Sequence, residues 1–200
     1  MELLEAVRAA GINYIDTARG YTVSEELIGQ AIDGHRDQFI LATKSMSRDR
    51  ESMERDIGIS LKNLRTDYID LYQVHNPNLQ QLDQVCAPGG ALEALMEAKE
   101  QGKIRHLGLT AHSLEVFEKG LDLPWVETIM FPYNLVETQG EALMAKAAEK
   151  NIAVIAMKPL AGGAIEDGRL AMRFIRQNPN VTVLIPGMYC PDEAKQNMEA

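Results

Sequence analysis

The chain has 200 residues, 46% hydrophobic and 24% charged, an ordinary globular composition. Its formal net charge of −9 argues against nucleic acid as a partner, because phosphate binding needs a basic face. No apolar run reaches the roughly 18 residues of a membrane span, and the acidic, amphipathic start MELLEAVRAA does not read as a signal peptide.

The chain opens directly in a helical pattern. NYIDT then reads as a short strand that ends on Asp16, and a tyrosine, Tyr21, follows five residues later. Ser24 is the expected N-cap of a helix over 24–33, with acids in its first turn. FILATK is the next strand and carries Lys44 near its end. Residues 50–64 place Met53, Ile57, Leu61 and Leu64 on one helical face. YIDLYQVH is a third strand, ending at His75. Helical patterns over 91–101, 114–121, 141–150 and 168–177 then alternate with the strands HLGLTA, TIMFPYN, AVIAMKPL and TVLIPGM. PDEAKQNMEA starts one more helix. Gly34, Gly102, Asn151 and Asn178-Pro179 read as helix stops.

Strands rich in Ile, Val, Leu and Tyr, alternating with helices, predict an α/β fold with a buried parallel sheet. A doubly wound sheet and a (β/α)8 TIM barrel are the two architectures that fit. No GxGxxG follows any strand, which weakens the first. Seven strands in regular procession favour the second. So do Asp16, Lys44, His75, His112, Asn134, Lys158 and Gly187, all at or just after the C-terminal end of a strand, where barrels place their chemistry. Such barrels have eight strands and about 250 residues. The expectation is therefore an incomplete barrel, with its first strand missing and its last helix truncated. No Pro/Gly/Ser-rich linker interrupts the chain, so 1–200 reads as one partial barrel domain.

If consecutive strands are neighbours, their backbones lie about 4.8 Å apart. Asp16 and Lys44 can then pair. His75 is in phase with Gln73 and Leu71, and Tyr21 can fold back over the group. A free tyrosine has a pKa of about 10, and an adjacent ammonium would lower it, with the Asp16 charge partly opposing. A neutral imidazole can donate a hydrogen bond to a substrate oxygen. Together the four would protonate a developing alkoxide. Each residue alone has an ordinary reading: a turn carboxylate, a solvated lysine, a packed aromatic, a core histidine. Their convergence on one rim is what favours chemistry. A Lys44 Schiff-base aldolase is opposed by Asp16, which keeps the amine protonated. A metal hydrolase lacks HxH or clustered ligands, so no metal is expected. Cys86 and Cys190 have no CxxC spacing, and a reduced, cytoplasmic protein is expected.

GINYIDTARGYTVSEELIGQAI resembles the Asp-Thr-Ala…Tyr…Ser-Glu…Gly signature of the aldo-keto reductases, and FILATK and DYIDLYQVHNP resemble that family's lysine and histidine strands. GGALEALMEAKEQGKIRHLGLTAHS, FPYNLVE, AVIAMKPLAGG and VLIPGM follow in family order. The chain is most similar to the bacterial branch that often carries a C-terminal ferredoxin-like extension, although no such cysteine cluster occurs here. The resemblance implies a barrel that transfers hydride from NADPH or NADH to a small aldehyde or ketone substrate. Tyr21 would be the general acid, Lys44 its partner, Asp16 the partner of Lys44, and His75 the carbonyl-orienting group. Thr110 and His112 would hold the nicotinamide; Lys158, Leu160 and Gly162 the pyrophosphate; Gly187, Met188, Gln196 and Asn197 the adenosine end. Independently, barrels bind phosphate after their last strands. LAGG permits close backbone approach there, and a helix starting near Pro191-Asp192 would offer free N–H groups. The chain departs from the family at Met130 and Met157, where a glutamine and an aromatic are common, and at Glu193, where a base often meets the 2′-phosphate. The acid at Glu193 would disfavour a second phosphate, which puts NAD beside NADP. Met130, Met157 and the missing strand keep open a second class: a non-catalytic cofactor-binding or regulatory protein on the same fold, or an inactive fragment of the reductase.

Overall fold

A computed structural model of the chain describes residues 2–199. Its elements run α1 (Glu2–Ala9), β1 (Tyr14–Asp16), α2 (Ser24–Ala31), β2 (Ile40–Ser45), α3 (Arg50–Asn63) and β3 (Ile69–Val74). Next come α4 (Leu79–Cys86), α5 (Ala91–Glu100), β4 (Ile104–Thr110), α6 (Leu114–Gly120) and β5 (Thr128–Pro132). The order closes with α7 (Glu141–Glu149), β6 (Ala153–Met157), α8 (Gly168–Arg176), β7 (Val183–Ile185) and α9 (Pro191–Met198). All seven expected strands form. They divide between two compact units, residues 14–110 and residues 1–13 with 111–200.

In the unit 14–110, β1 to β4 are parallel neighbours in chain order. Every residue of β3 is buried, as expected of a strand covered on both faces. The register aligns Lys44 with Gln73 and Thr43 with Tyr72, so these two pairs point to opposite faces. Thr43 meets the helices through Glu25, and Tyr72 is sealed there. α2 and α3 approach so closely that a Cβ on Gly29 would sit 2.2 Å from the Asn63 carbonyl oxygen. Asp49 caps α3 by accepting from the Ser52 N–H at 2.9 Å. Met53, Ile57 and Leu64 are buried as expected, and Leu61 is half-buried.

At the start of the same strands, buried Asp70 accepts from Arg36 at 2.6 Å, Arg105 at 2.9 Å and the Leu41 N–H at 2.9 Å. The Tyr68 ring lies between those two guanidinium groups, 4.1 and 4.0 Å from them. This end is a packed ionic closure; the candidate site is at the other.

In the second unit, β5, β6 and β7 are parallel neighbours. α8 starts under Asp167, which accepts from the Leu170 N–H at 2.9 Å, and buries Ala171, Met172 and Ile175 at helical spacing. Its outer positions carry Arg169, Arg173 and Arg176. Asn151 stops α7 with φ 57°, and Gly102 stops α5 in the other unit with φ 74°, the left-handed turn expected at both. α1 packs on α9.

Two local expectations are corrected. Ser24 is not an N-cap but the first residue of α2; its hydroxyl lies 2.8 Å from that of Thr17, which draws it away from the helix terminus. α4 was not expected. An Asn78–Gln81 capping box starts it, with each side chain accepting from the other's N–H at 2.8 and 3.0 Å. Among the described residues, no helix is long and apolar enough to cross a membrane.

Candidate active site

Asp16, Tyr21, Lys44 and His75 lie in one unit and come together. The register puts Asp16 beside Ala42, one step along the same face from Lys44. Lys44 Nζ donates to Asp16 Oδ2 at 2.5 Å and to the Thr17 carbonyl oxygen at 2.8 Å. Gln73 Nε2, from the facing position on β3, reaches Asp16 Oδ1 at 3.5 Å. Two of the three ammonium protons are thus engaged, and the ammonium lies 5.0 Å from the Tyr21 ring centroid. The His75 ring stands edge-on to Tyr21, with centroids 6.0 Å apart. Lys44 is 2% exposed, His75 is half-buried and Tyr21 is 46% exposed, so the phenol and the imidazole are the members open to a substrate.

Two causes act against the lowering of the Tyr21 pKa expected from Lys44. Burial raises it, and the Asp16 charge raises it further. The carboxylate that accepts from the ammonium opposes its field at the phenol. Burial likewise pushes the Asp16 carboxyl up, against the pull of the Lys44 charge and of hydrogen bonds from Lys44 and Gln73.

The loop carrying Tyr21 is tied at both ends. Arg19 N donates to the Lys44 carbonyl oxygen and Thr17 N to that of Ala42, each at 2.9 Å. Behind the loop, Glu25 is 1% exposed and accepts from Arg19 at 3.1 Å, Thr43 at 2.8 Å and Ser60 at 2.7 Å. Sequence reading passed over this carboxylate, because an acid in the first turn of a helix normally faces water. Gln73 was detectable: it is an amide inside an otherwise apolar strand.

The residues expected to hold a cofactor are spread more widely. Thr110 closes the unit 14–110; it is buried, and its hydroxyl oxygen accepts from the Asn76 N–H at 2.8 Å, fixing the turn after His75. In the other unit, His112 is near enough to Lys158 for the ammonium to add to the burial that lowers the imidazole pKa, with Glu137 opposing. Asn134 pins the Lys158 carbonyl at 2.9 Å, and Lys158 itself has φ 55°. Leu160 and Gly162 follow in a tight turn that continues with φ 48° at Ala161, 70° at Gly162 and 100° at Gly163. A Cβ on Gly162 would meet nothing within 4 Å, so this backbone is open to a ligand. Gly187 and Met188 precede α9, which carries Gln196 and Asn197. The two N–H groups just ahead of that helix are engaged. Glu193 Oε2 accepts from Tyr189 N at 2.5 Å and Cys190 N at 3.3 Å, so a carboxylate of the chain sits at the entry to α9. A lysine beside an open glycine turn fits a diphosphate, whereas the Glu193 carboxylate at the entry to α9 disfavours a further phosphate there.

The aldo/keto reductase family pattern matches residues 1–169. The chain belongs to the aldo/keto reductase family. The aldo-keto reductase YhdN of Bacillus subtilis is 38% identical over 165 residues, which are 74% of this chain and 48% of that protein. The holo form of aldo-keto reductase AKR11C1 from Bacillus halodurans superposes with a TM-score of 0.88 at 25% identity, covering 98% of this chain and 79% of the other. An aldo-keto reductase from Klebsiella pneumoniae, in complex with NADP and acetate, gives 0.84 at 26% identity, covering 98% and 77%. This likeness puts the aldo/keto reductase chain in the (β/α)8 class expected from its sequence. The chain spans 48% to 62% of the length of three curated relatives it matches.

Proposed function

We propose that the chain carries the acid–base and cofactor-holding groups of an NAD(P)H-dependent reductase of aldehydes or ketones. The observation that carries this reading is the cluster itself: a half-exposed phenol between a buried, ion-paired lysine and an imidazole. Family membership adds to it, as does a family neighbour crystallised with NADP.

Reduced nicotinamide, when bound, supplies the hydride. The substrate oxygen sits against the Tyr21 hydroxyl and the His75 ring, which fix its position. As negative charge develops on that oxygen, Tyr21 gives it the phenol proton and becomes phenolate. Lys44 then matters: its remaining proton faces a charge that was absent from the resting phenol, and stabilises it. Asp16 and the Thr17 carbonyl hold the ammonium in place. Solvent restores the phenol proton. A neutral phenol in the resting state suits an acid, so the raised pKa of Tyr21 is compatible with this role. Lys158, Leu160 and Gly162 would hold the diphosphate, Thr110 and His112 would meet the nicotinamide, and Gly187, Met188, Gln196 and Asn197 would meet the adenosine end.

Tyr21→Phe tests the assignment. Fluorescence titration should give NADPH and NADH affinities within about twofold of the parent chain, while carbonyl reduction falls by about 100-fold or more. Unimpaired turnover in the variant would remove Tyr21 from the role of acid.

A further inference from the structure

One buried cation beside the cluster has no part in the chemistry above. Arg48, in the loop after β2, is 8% exposed. Its Nη2 donates to the His75 carbonyl oxygen at 2.7 Å and its Nη1 to that of Ser47 at 3.4 Å; Nε is sealed from water without a hydrogen-bond partner. Among the described residues no carboxylate pairs with it, and burial alone lowers its pKa. The nearby acids are committed elsewhere. Asp49 caps α3, and Asp56 accepts from the hydroxyls of Ser45 at 2.5 Å and Ser47 at 2.7 Å. Burying a guanidinium without a counter-charge is costly, so a plain packing role explains Arg48 poorly.

The contact it makes is more informative. His75 N donates to the Ser45 carbonyl oxygen at 2.9 Å, and Asn76 turns sharply, with φ 45°, onto Thr110. Arg48 grips the carbonyl between these two anchors, while its own carbonyl accepts from Ala91 N at 3.0 Å at the start of α5. The peptide that carries His75 is therefore held from three sides, and one of the three is a full positive charge.

We propose that Arg48 is a positioning residue for carbonyl reduction. Its guanidinium locks the His75 peptide and so sets the imidazole, and its uncompensated charge lies beside that peptide as negative charge develops on the substrate oxygen. The inference rests on His75 orienting the carbonyl. Arg48→Met and Arg48→Lys in the full chain test it in two ways. The first needs no turnover. Of the four histidines, His75 alone should shift and broaden in the imidazole NMR spectrum of Arg48→Met, with Arg48→Lys intermediate. An unmoved His75 signal overturns the proposal. The second is a double-mutant cycle with benzaldehyde. Arg48→Met should lower kcat/KM by about 10- to 100-fold with cofactor Kd unchanged, yet cost less than about threefold more in a His75→Ala background. The same loss in both backgrounds sinks the Arg48 role alone. A His75→Ala chain with parental kcat/KM sinks the reading of His75, and this inference with it.

Discussion

Two neighbours pull on the Tyr21 phenol in opposite directions. The Lys44 ammonium is 5.0 Å from the ring, but Asp16 accepts its hydrogen bond and adds to burial in raising the phenol pKa above its usual 10. The sign is then definite. The acid form is complete below that raised pKa and is lost as pH rises through it, so carbonyl reduction should hold through pH 9 and decline only above 10. Asp16→Asn removes the opposing charge and leaves the ammonium, so the phenol should titrate at lower pH. Absorbance titration of each chain minus its Tyr21→Phe counterpart isolates the one phenol; an unchanged or higher midpoint in Asp16→Asn contradicts this account. The four clustered residues were legible because each ends a strand or follows one. Arg48 and Glu25 were not. Charged residues in a loop and in a first helical turn normally face water, and only tertiary packing buries them.

At the scale of elements, α2 and α3 offer one substitution with two outcomes. A Cβ at Gly29 would meet the Asn63 carbonyl at 2.2 Å and Leu64 backbone at 2.7 Å, atoms that cannot swing aside. Gly29→Ala gains at most about 1 kcal/mol of helix propensity and loses about 3 to overpacking, for a net destabilisation of about 2 kcal/mol. Gly58 on α3 has nothing within 4 Å of its Cβ position, so Gly58→Ala should stabilise by about 0.5–1 kcal/mol. Urea midpoints separate the two, and equal shifts would deny the close approach of these helices. Such contact is invisible in sequence: both glycines sit inside helical patterns, and neither pattern says which faces a neighbour's backbone. Caps read unevenly for a similar reason. Asp49 and the Asn78–Gln81 box cap as their types suggest, whereas Ser24 finds the Thr17 hydroxyl instead. A local preference holds only until a tertiary partner competes for the same oxygen.

For the whole chain, the strands were legible because parallel strands covered on both faces leave continuous apolar runs, and the helices because each covers its strand with a single stripe. How charge meets a cofactor was less legible, because it depends on where Glu193 points. The chain already carries a formal net charge of −9, and Glu193 places a carboxylate on the Tyr189 and Cys190 N–H groups that open α9. If the adenosine end lies along Gly187, Met188, Gln196 and Asn197, a 2′-phosphate meets an acid rather than two donors. NADH should then bind at least as tightly as NADPH. Each exposed charge contributes about 1 kcal/mol at short range in water, so Glu193→Lys, which replaces one sign by the other and so changes the interaction by about 2 kcal/mol, should shift the NADPH/NADH affinity ratio about thirtyfold toward NADPH. Glu193→Gln keeps an acceptor for the helix start and should shift it by roughly half as much in free energy. Because the interaction is solvent-exposed, both shifts should shrink at about 1 M salt. Fluorescence titration with both nucleotides measures the ratio directly. A ratio that ignores both substitutions would put the adenosine end away from α9, while leaving Lys158 and its glycine turn as the diphosphate site.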